Sequence, residues 1–212
     1  MQAIRDVGFG LLASTPKHRV LHEAPSLSPA LADCSRVLVV GNSVELWSLF
    51  VADYKRSAAL QAASDPLDAW VEDRLGSIVA KRPTFYAHVR YDGAFLPIQR
   101  IAVAAGLGVF SNSQLVLHPT VGPWLSLRAL VATDDVSEPP PIPPGFGCNG
   151  DGCAAGLQAV LARPDATWRD WYELRASCRT ADDKWRFSDE QIIYHYTKDC
   201  SVIGTGAKLP PR

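Results

Sequence analysis

The 212-residue sequence lacks an excess of charge of either sign: 21 lysines and arginines stand against 22 aspartates and glutamates, a formal net charge of −1. Neither a nucleic acid nor an anionic membrane surface would meet the basic patch it needs. No apolar stretch approaches the roughly 20 residues that cross a bilayer. Met1–Leu12 holds one Arg and one Asp and no sustained apolar run, so it does not read as a signal peptide. A soluble, cytoplasmic protein is expected. The cysteines are few and odd in number (Cys34, Cys148, Cys153, Cys178 and Cys200) and lack the spacing of a secreted disulfide framework, so free thiols are the default. There is no internal repeat, P-loop, G-x-S-x-G or H-E-x-x-H string, so nucleoside-triphosphate, serine-hydrolase and zinc-protease chemistry are not signalled.

What is present is an ordinary globular composition, 47% hydrophobic and 20% charged. Arg36–Gly41 (RVLVVG) is a continuous apolar run ending in Gly and reads as a buried strand. A helix is expected from Ser43 to about Tyr54. Another starts at Asp65, with Asp65 as N-cap, Pro66 in the first helical position and Asp68 favouring the positive helix end. Leu67, Trp70, Val71, Leu75, Ile78 and Val79 give it one apolar face. Thr84–Arg90 reads as a strand, Leu96–Gly108 as a helix rich in small residues, and Leu115–Leu117 and Trp124–Ala132 as strands joined by the turn at 118–123. The run Glu138–Pro144 (EPPPIPP) can enter neither a helix nor a central strand and is an extended connection. Thr167 with Asp170, and Ser188 with Gln191, read as capped helix starts. The pattern is α+β. The expected division is a core over 1–137, a Pro-rich connection over 138–147, and a helical extension over 148–212 that packs on the core.

Three blocks carry a resemblance. The first is Asp65-Pro-Leu-Asp68 running on to Leu75-Gly76. The second is Ala102-Val-Ala-Ala-Gly106, then Ser113, Leu117-His118-Pro119, Gly122 and Trp124-Leu-Ser-Leu-Arg128. The third is Trp168-Arg-Asp-Trp171 followed by Phe187-Ser-Asp-Glu-Gln191. In order and spacing these resemble the cobalamin-processing chaperones known as CblC or MMACHC, from about residue 36 to 196. The middle block is also similar to epoxyqueuosine reductase and the corrinoid part of reductive dehalogenases. The sequence departs from the chaperone pattern at Val103, where the family has His, and at Gly93 and Ala94, where it has an Arg pair associated with dimer contacts. A monomer or weak homodimer is expected.

The resemblance implies a nitroreductase-like antiparallel sheet flanked by helices, cobalamin as cofactor, and removal of its upper axial ligand. That removal is either reductive decyanation, with FMN, FAD or a partner flavoprotein reductase supplying electrons, or dealkylation by glutathione. No catalytic side chain is required, since the cofactor carries the redox chemistry. A corrin site needs an apolar floor, scattered amide partners and close backbone approach. Gly106 and Gly108 offer the approach, Phe110 and Trp124 a floor or a pocket for the benzimidazole tail, and Asn112, Ser113 and Gln114 the amide partners, with Leu117 also expected to contact the cofactor. His118 precedes a Pro and is read as a turn or pocket-lining residue, not a cobalt ligand. Arg128, inside an apolar strand, needs a carboxylate or other partner, and an internal salt bridge is one way to supply it. The resemblance makes it a glutathione-carboxylate ligand, with Arg175 as the second, and Arg179, Lys184 and Arg186 keep that region basic. No metal site is expected. Cys148, Cys153, Cys178 and Cys200 are too loosely spaced for a standard iron–sulfur motif, and a Cys148–Cys153 redox disulfide is the other reading of the C-x4-C pair. An iron–sulfur or flavin reductase acting on another substrate, or a non-catalytic cobalamin carrier, are the alternatives.

Overall fold

The computed structural model describes residues 1–148, 151–178 and 182–210. In chain order it has α1 (Gln2–Asp6), β1 (Leu11–Pro16), α2 (Lys17–Glu23), β2 (Arg36–Asn42), α3 (Glu45–Tyr54), α4 (Ala58–Gln61) and α5 (Pro66–Val79). Then come β3 (Thr84–Tyr86), β4 (Arg90–Tyr91), β5 (Ala94–Phe95), α6 (Ile98–Ala104), β6 (Val109–Phe110), β7 (Val116–Leu117) and β8 (Ser126–Thr133). After the Pro run follow α7 (Asp151–Leu161), α8 (Trp168–Ser177) and α9 (Asp189–Thr197).

The main sheet is antiparallel, in the order β1-β2-β8-β3. β2 is central and lies between two helical layers, which is why its sequence is an unbroken apolar run. Side chains alternate between the faces. Leu38 and Val40, with Leu12, Ala129 and Val131, meet Phe50, Trp70, Val71 and Leu75 of α3 and α5 on one face. Val37 and Val39, with Ala13, Leu130 and Ala132, meet Val20 of α2 and Ile101 and Ala102 of α6 on the other. Tyr194 of α9 and Ile203 complete the first face, so the last helices seal the core that the first half of the chain begins.

The α5 start is the one the sequence describes: the Asp65 carboxylate accepts the Asp68 N–H at 3.2 Å and Pro66 opens the helix. At α8, Thr167 and Asp170 form the expected capping box, and at α9 Ser188 accepts from the Gln191 N–H. Three expectations change. The strand over 84–90 stops at Tyr86, and a second short hairpin follows, β4–β5, turned by Asp92 (φ 50°) and Gly93 (φ 81°). The helix over 96–108 is only Ile98–Ala104. It ends because Gly106, at φ 78°, lets its own N–H and that of Leu107 turn back onto the Val103 and Ala102 carbonyls. The third change is β1, a strand not read from the sequence. Its outer edge is covered where the chain enters the Pro run: the Ser14 N–H donates to the Ser137 carbonyl at 2.8 Å, and the Ser137 N–H donates to the Ser14 hydroxyl at 2.8 Å. Among the described residues, no helix is long and apolar enough to cross a membrane.

Candidate functional site

Arg128 owes its position to an irregularity in the sheet. Val40 pairs with Ala129, but the next residue, Gly41, pairs with Leu127, so Arg128 is the extra residue of a β-bulge. A bulge re-aims the side chain it carries. Here it drives a guanidinium into the interior, 9% exposed. Its Nε donates to Asn42 Oδ1 at 2.7 Å, and its Nη1 lies 3.8 Å from Asp68 Oδ1. The Asn42 amide is fixed in turn by donating to the Ser43 carbonyl at 2.8 Å. Burial draws the Arg128 pKa down, and the nearby Asp68 and Asp65 charges oppose that pull. Asp68 itself is pushed up by burial and by Asp65. Asp65 stays ionised: burial works against its charge, but hydrogen bonds from Lys198 and Tyr194 outweigh it and hold the pKa at about 2.

Arg175, in the last turn of α8, meets Arg128 across a cavity of about 260 Å³ whose walls include Ile98, Gln99, Leu115, Val116, Pro123 and Leu125. The Arg175 guanidinium lies over the rings of Phe187 and Tyr196, 6.0 and 5.8 Å from their centroids. Among the described residues, two buried N–H-bearing atoms have no hydrogen-bond partner, Arg128 Nη2 and Arg175 Nε. Unpaired cationic donors in a buried setting are costly unless an anion completes them. His195 sits near both arginines, against Phe187 at 5.4 Å. Burial, reinforced by Arg128, Arg175 and Lys198, lowers its pKa well below the ordinary histidine value, so it adds no positive charge at neutral pH. The cavity suits one or two carboxylates of a small ligand.

The expected corrin-contacting residues are spread over the loop beside this cavity. Phe110, Asn112 and Gln114 are exposed, Gln114 at φ 63°. Phe110 pairs with Val116, and the Ser111 N–H donates to the Leu115 carbonyl, so this exposed face and the arginine cavity share one hairpin. The remaining residues have structural partners. Gly106 ends α6. Gly108 backs onto β7: a Cβ there would lie 2.3 Å from the Leu117 carbonyl oxygen. Ser113 bonds Ser111 at 2.9 Å beneath the surface, and Leu117 is fully buried. Trp124 packs edge-on against Phe187 at 5.6 Å in the cluster under α8 and α9. His118 Nδ1 accepts the Thr120 and Val121 N–H groups at 3.1 and 3.4 Å, and burial lowers its pKa to about 4. It is a neutral turn residue on the wall of a different cavity. Gly108→Ala is expected to cost about 3 kcal/mol, since the obstacle is backbone. Gly106→Ala is expected to cost about 1 kcal/mol for its positive φ. Urea unfolding of the two variants measures the difference.

Of the basic tail residues, Lys184 pairs with Asp182 at 3.3 Å and Arg186 with Asp189 at 2.8 Å, while Arg179 lies outside the described residues. The four C-terminal-third cysteines do not converge. Cys153 Sγ is 3.3 Å from Cys178 Sγ, and Cys148 bonds Cys153, but Cys200 packs against the α3–α5 face of the core. The C-x4-C pair therefore acquires a third partner, Cys178. Among the described residues there is no group of three metal-ligating side chains arranged to hold an ion. Asn42, Asp68 and His195 join the site without having been singled out for it. Asn42 carries the only available signal, a polar residue directly ending the most apolar strand.

No family model and no curated protein sequence matches the chain. Among solved structures, a B12-trafficking protein of C. elegans, CblC, a homologue of human MMACHC, superposes over 100% of this chain and 95% of its own, with a TM-score of 0.66 at 14% identity. Epoxyqueuosine reductases from Streptococcus thermophilus and Bacillus subtilis overlap more loosely. Their TM-scores are 0.43 and 0.42 at 11% and 13% identity, over 73% and 80% of this chain and 50% and 55% of theirs. At such identities the likeness concerns the fold: α+β, a nitroreductase-like antiparallel sheet flanked by helices.

Proposed function

We propose that the chain binds cobalamin with its lower base displaced and removes the upper axial ligand, using a small anionic thiol such as glutathione. The observation that carries this reading is the pair of guanidinium groups, each with an unpartnered buried nitrogen, facing one cavity beside an exposed aromatic and amide-bearing hairpin. The full-length fold likeness to a B12-trafficking protein supports it. The hairpin residues fit a corrin in chemistry: Phe110 offers an apolar face, and Asn112 and Gln114 offer amides to match those of the rim.

Arg128 and Arg175 bind the thiol's carboxylates, and Asn42 and Asp68 hold Arg128 so that its Nη2 remains available. Fixing the thiol in this way converts a bimolecular encounter into a positioned one. The cofactor, when bound, supplies the electron-accepting centre. In the dealkylation branch the thiolate takes the alkyl group. In the decyanation branch a reduced flavin or flavoprotein supplies electrons and cyanide leaves. His118 does not ligate cobalt in this scheme, because its Nδ1 is engaged by two backbone N–H groups and the ring is buried. Five cysteines in thiol form suit a reducing, cytoplasmic compartment.

The test is a titration of the purified protein with methylcobalamin and cyanocobalamin, followed by visible spectra before and after glutathione or reduced flavin. The expected result is a shift to the base-off spectrum and then loss of the upper ligand. Arg175→Ala is expected to weaken glutathione-dependent dealkylation at least about tenfold, the worth of one charge-assisted pairing, while leaving the base-off shift intact. Unchanged spectra at saturating protein sink the proposal. A base-off shift with no ligand loss makes the protein a carrier. A yellow or brown preparation indifferent to corrinoids favours a flavin or iron–sulfur reductase.

A further inference from the structure

Three cysteines meet against the β6–β7 hairpin, around the buried Leu117 with Val109 and Leu115 beside them. Cys153 lies in the first turns of α7, and Cys178 caps the C-terminus of α8. Their sulfurs are 3.3 Å apart and the residues are 6% and 4% exposed. Cys148, half-buried, packs on the same cluster with Phe146 and Val109 and hydrogen-bonds Cys153. Ser113 Oγ lies 3.4 Å from Cys178 Sγ and can donate to it. Ordinary core cysteines turn their sulfurs towards apolar neighbours. Here the sulfurs face one another, with the more accessible thiol at the end of the row.

We propose that Cys153 and Cys178 form a redox pair that closes to an intramolecular disulfide, with Cys148 as the entry point for a low-molecular-weight disulfide. The steps balance as successive exchanges. The Cys148 thiolate attacks the small disulfide, forms a mixed disulfide and expels one small thiolate, which takes up a proton. Cys153 gives up its proton and displaces the second small thiol, forming a Cys148–Cys153 bond. Cys178 then attacks the Cys153 sulfur and restores Cys148 as a thiol. In sum, two protein thiols lose two protons and two electrons, and one small disulfide becomes two small thiols. Direct entry at Cys153 is disfavoured, because Cys153 is 6% exposed and a small disulfide reaches the half-buried Cys148 first. The closed form ties α7 to the end of α8, three residues beyond Arg175. The inference stands apart from the cobalamin reading, because its test contains no corrinoid.

The test uses the reduced, full-length protein incubated with oxidised glutathione, quenched by alkylation and analysed by intact mass and peptide mapping. The expected product carries a Cys153–Cys178 cross-link and alkyl groups on Cys34, Cys148 and Cys200 alone, where the reduced control is alkylated on every cysteine. Cys148→Ser is expected to give the same product at least about tenfold more slowly. Cys178→Ser, which keeps a hydroxyl for Ser113, is expected to stall with Cys148 and Cys153 bonded. A wild-type end product of Cys148–Cys153, glutathione adducts alone, or alkylation on every cysteine would overturn the pairing. An unchanged rate in Cys148→Ser would remove Cys148 as the entry point. The wild-type map decides the pairing even if a serine variant does not fold.

Discussion

Arg128→Ala is expected to lower the unfolding free energy by about 3–5 kcal/mol, the usual cost of breaking a buried charge pair by removing one partner. The loss comes less from the missing guanidinium than from what it leaves behind. Asp68, with a side chain 17% exposed, keeps a charge that burial already disfavours, and Asn42 Oδ1, fully buried, loses its 2.7 Å donor. Arg128→Lys retains the charge but supplies a compact ammonium in place of the fork, so it is expected to recover only part of the stability and little of the proposed thiol binding. Arg175→Ala, which removes only ring contacts and an unpartnered nitrogen, is expected to cost under about 1 kcal/mol. Urea unfolding of the three variants is the measurement. An Arg128→Ala loss below that of Arg175→Ala would mean that the Asn42–Arg128–Asp68 arrangement does not bind the sheet to α5.

The protein is also expected to lose about 3 kcal/mol of stability as pH falls from about 6.5 to about 4, from His118 alone. Burial holds its folded pKa at about 4, below the ordinary histidine value. The unfolded chain therefore takes a proton in this window that the folded chain refuses, and acid favours unfolding. His195, also lowered by burial, acts in the same direction. Asp68 opposes both: its pKa is raised, so the folded state binds its proton more readily as pH falls. Asp53 is held at about 2 by hydrogen bonds from Trp70 and Arg74, and Asp65 is also held at about 2; the stability they add is present above pH 4 and is lost only as pH falls through their folded values. His118→Asn should flatten the upper window, because its side-chain oxygen can still accept from the Thr120 and Val121 N–H groups while it cannot be protonated. Urea midpoints at half-unit pH steps would read this directly. An equally steep fall in His118→Asn would assign the window to other groups.

Elements that bury one whole face, or carry their own caps, were readable in the sequence. β2 declared itself because both faces are covered, and α5, α8 and α9 because each starts with a side chain that accepts a first-turn N–H. β1 carries no such signal, for a physical reason. Its interior holds Ser14 and Thr15, polar yet 6% and 1% exposed, and Ser14 is bonded to an edge partner more than a hundred residues away. The site divides in the same way. Arg128 was conspicuous as a charge in an apolar strand, and Arg175 came only through the family resemblance. Asn42, Asp68 and His195 acquire their roles when β2, α5 and α9 converge, and no local pattern encodes that meeting. The cysteine spacing pointed to 148 with 153, whereas Cys178 reaches Cys153 from 25 residues further along.

Glu190 accepts the Trp47 indole N–H at 3.0 Å and the Gly204 and Gly206 amides at 2.8 and 2.6 Å, while Tyr194 packs against Trp47 and Phe50. Trp47 leaves the ribosome 143 residues before Glu190 does. At ordinary synthesis speeds that leaves the aromatic face of α3 and α5 without its cover for roughly 7–30 s. During that interval Trp47 has neither the Glu190 carboxylate for its indole N–H nor the Tyr194 and His195 rings it packs against, so the order of synthesis leaves this corner of the core to close after the sheet.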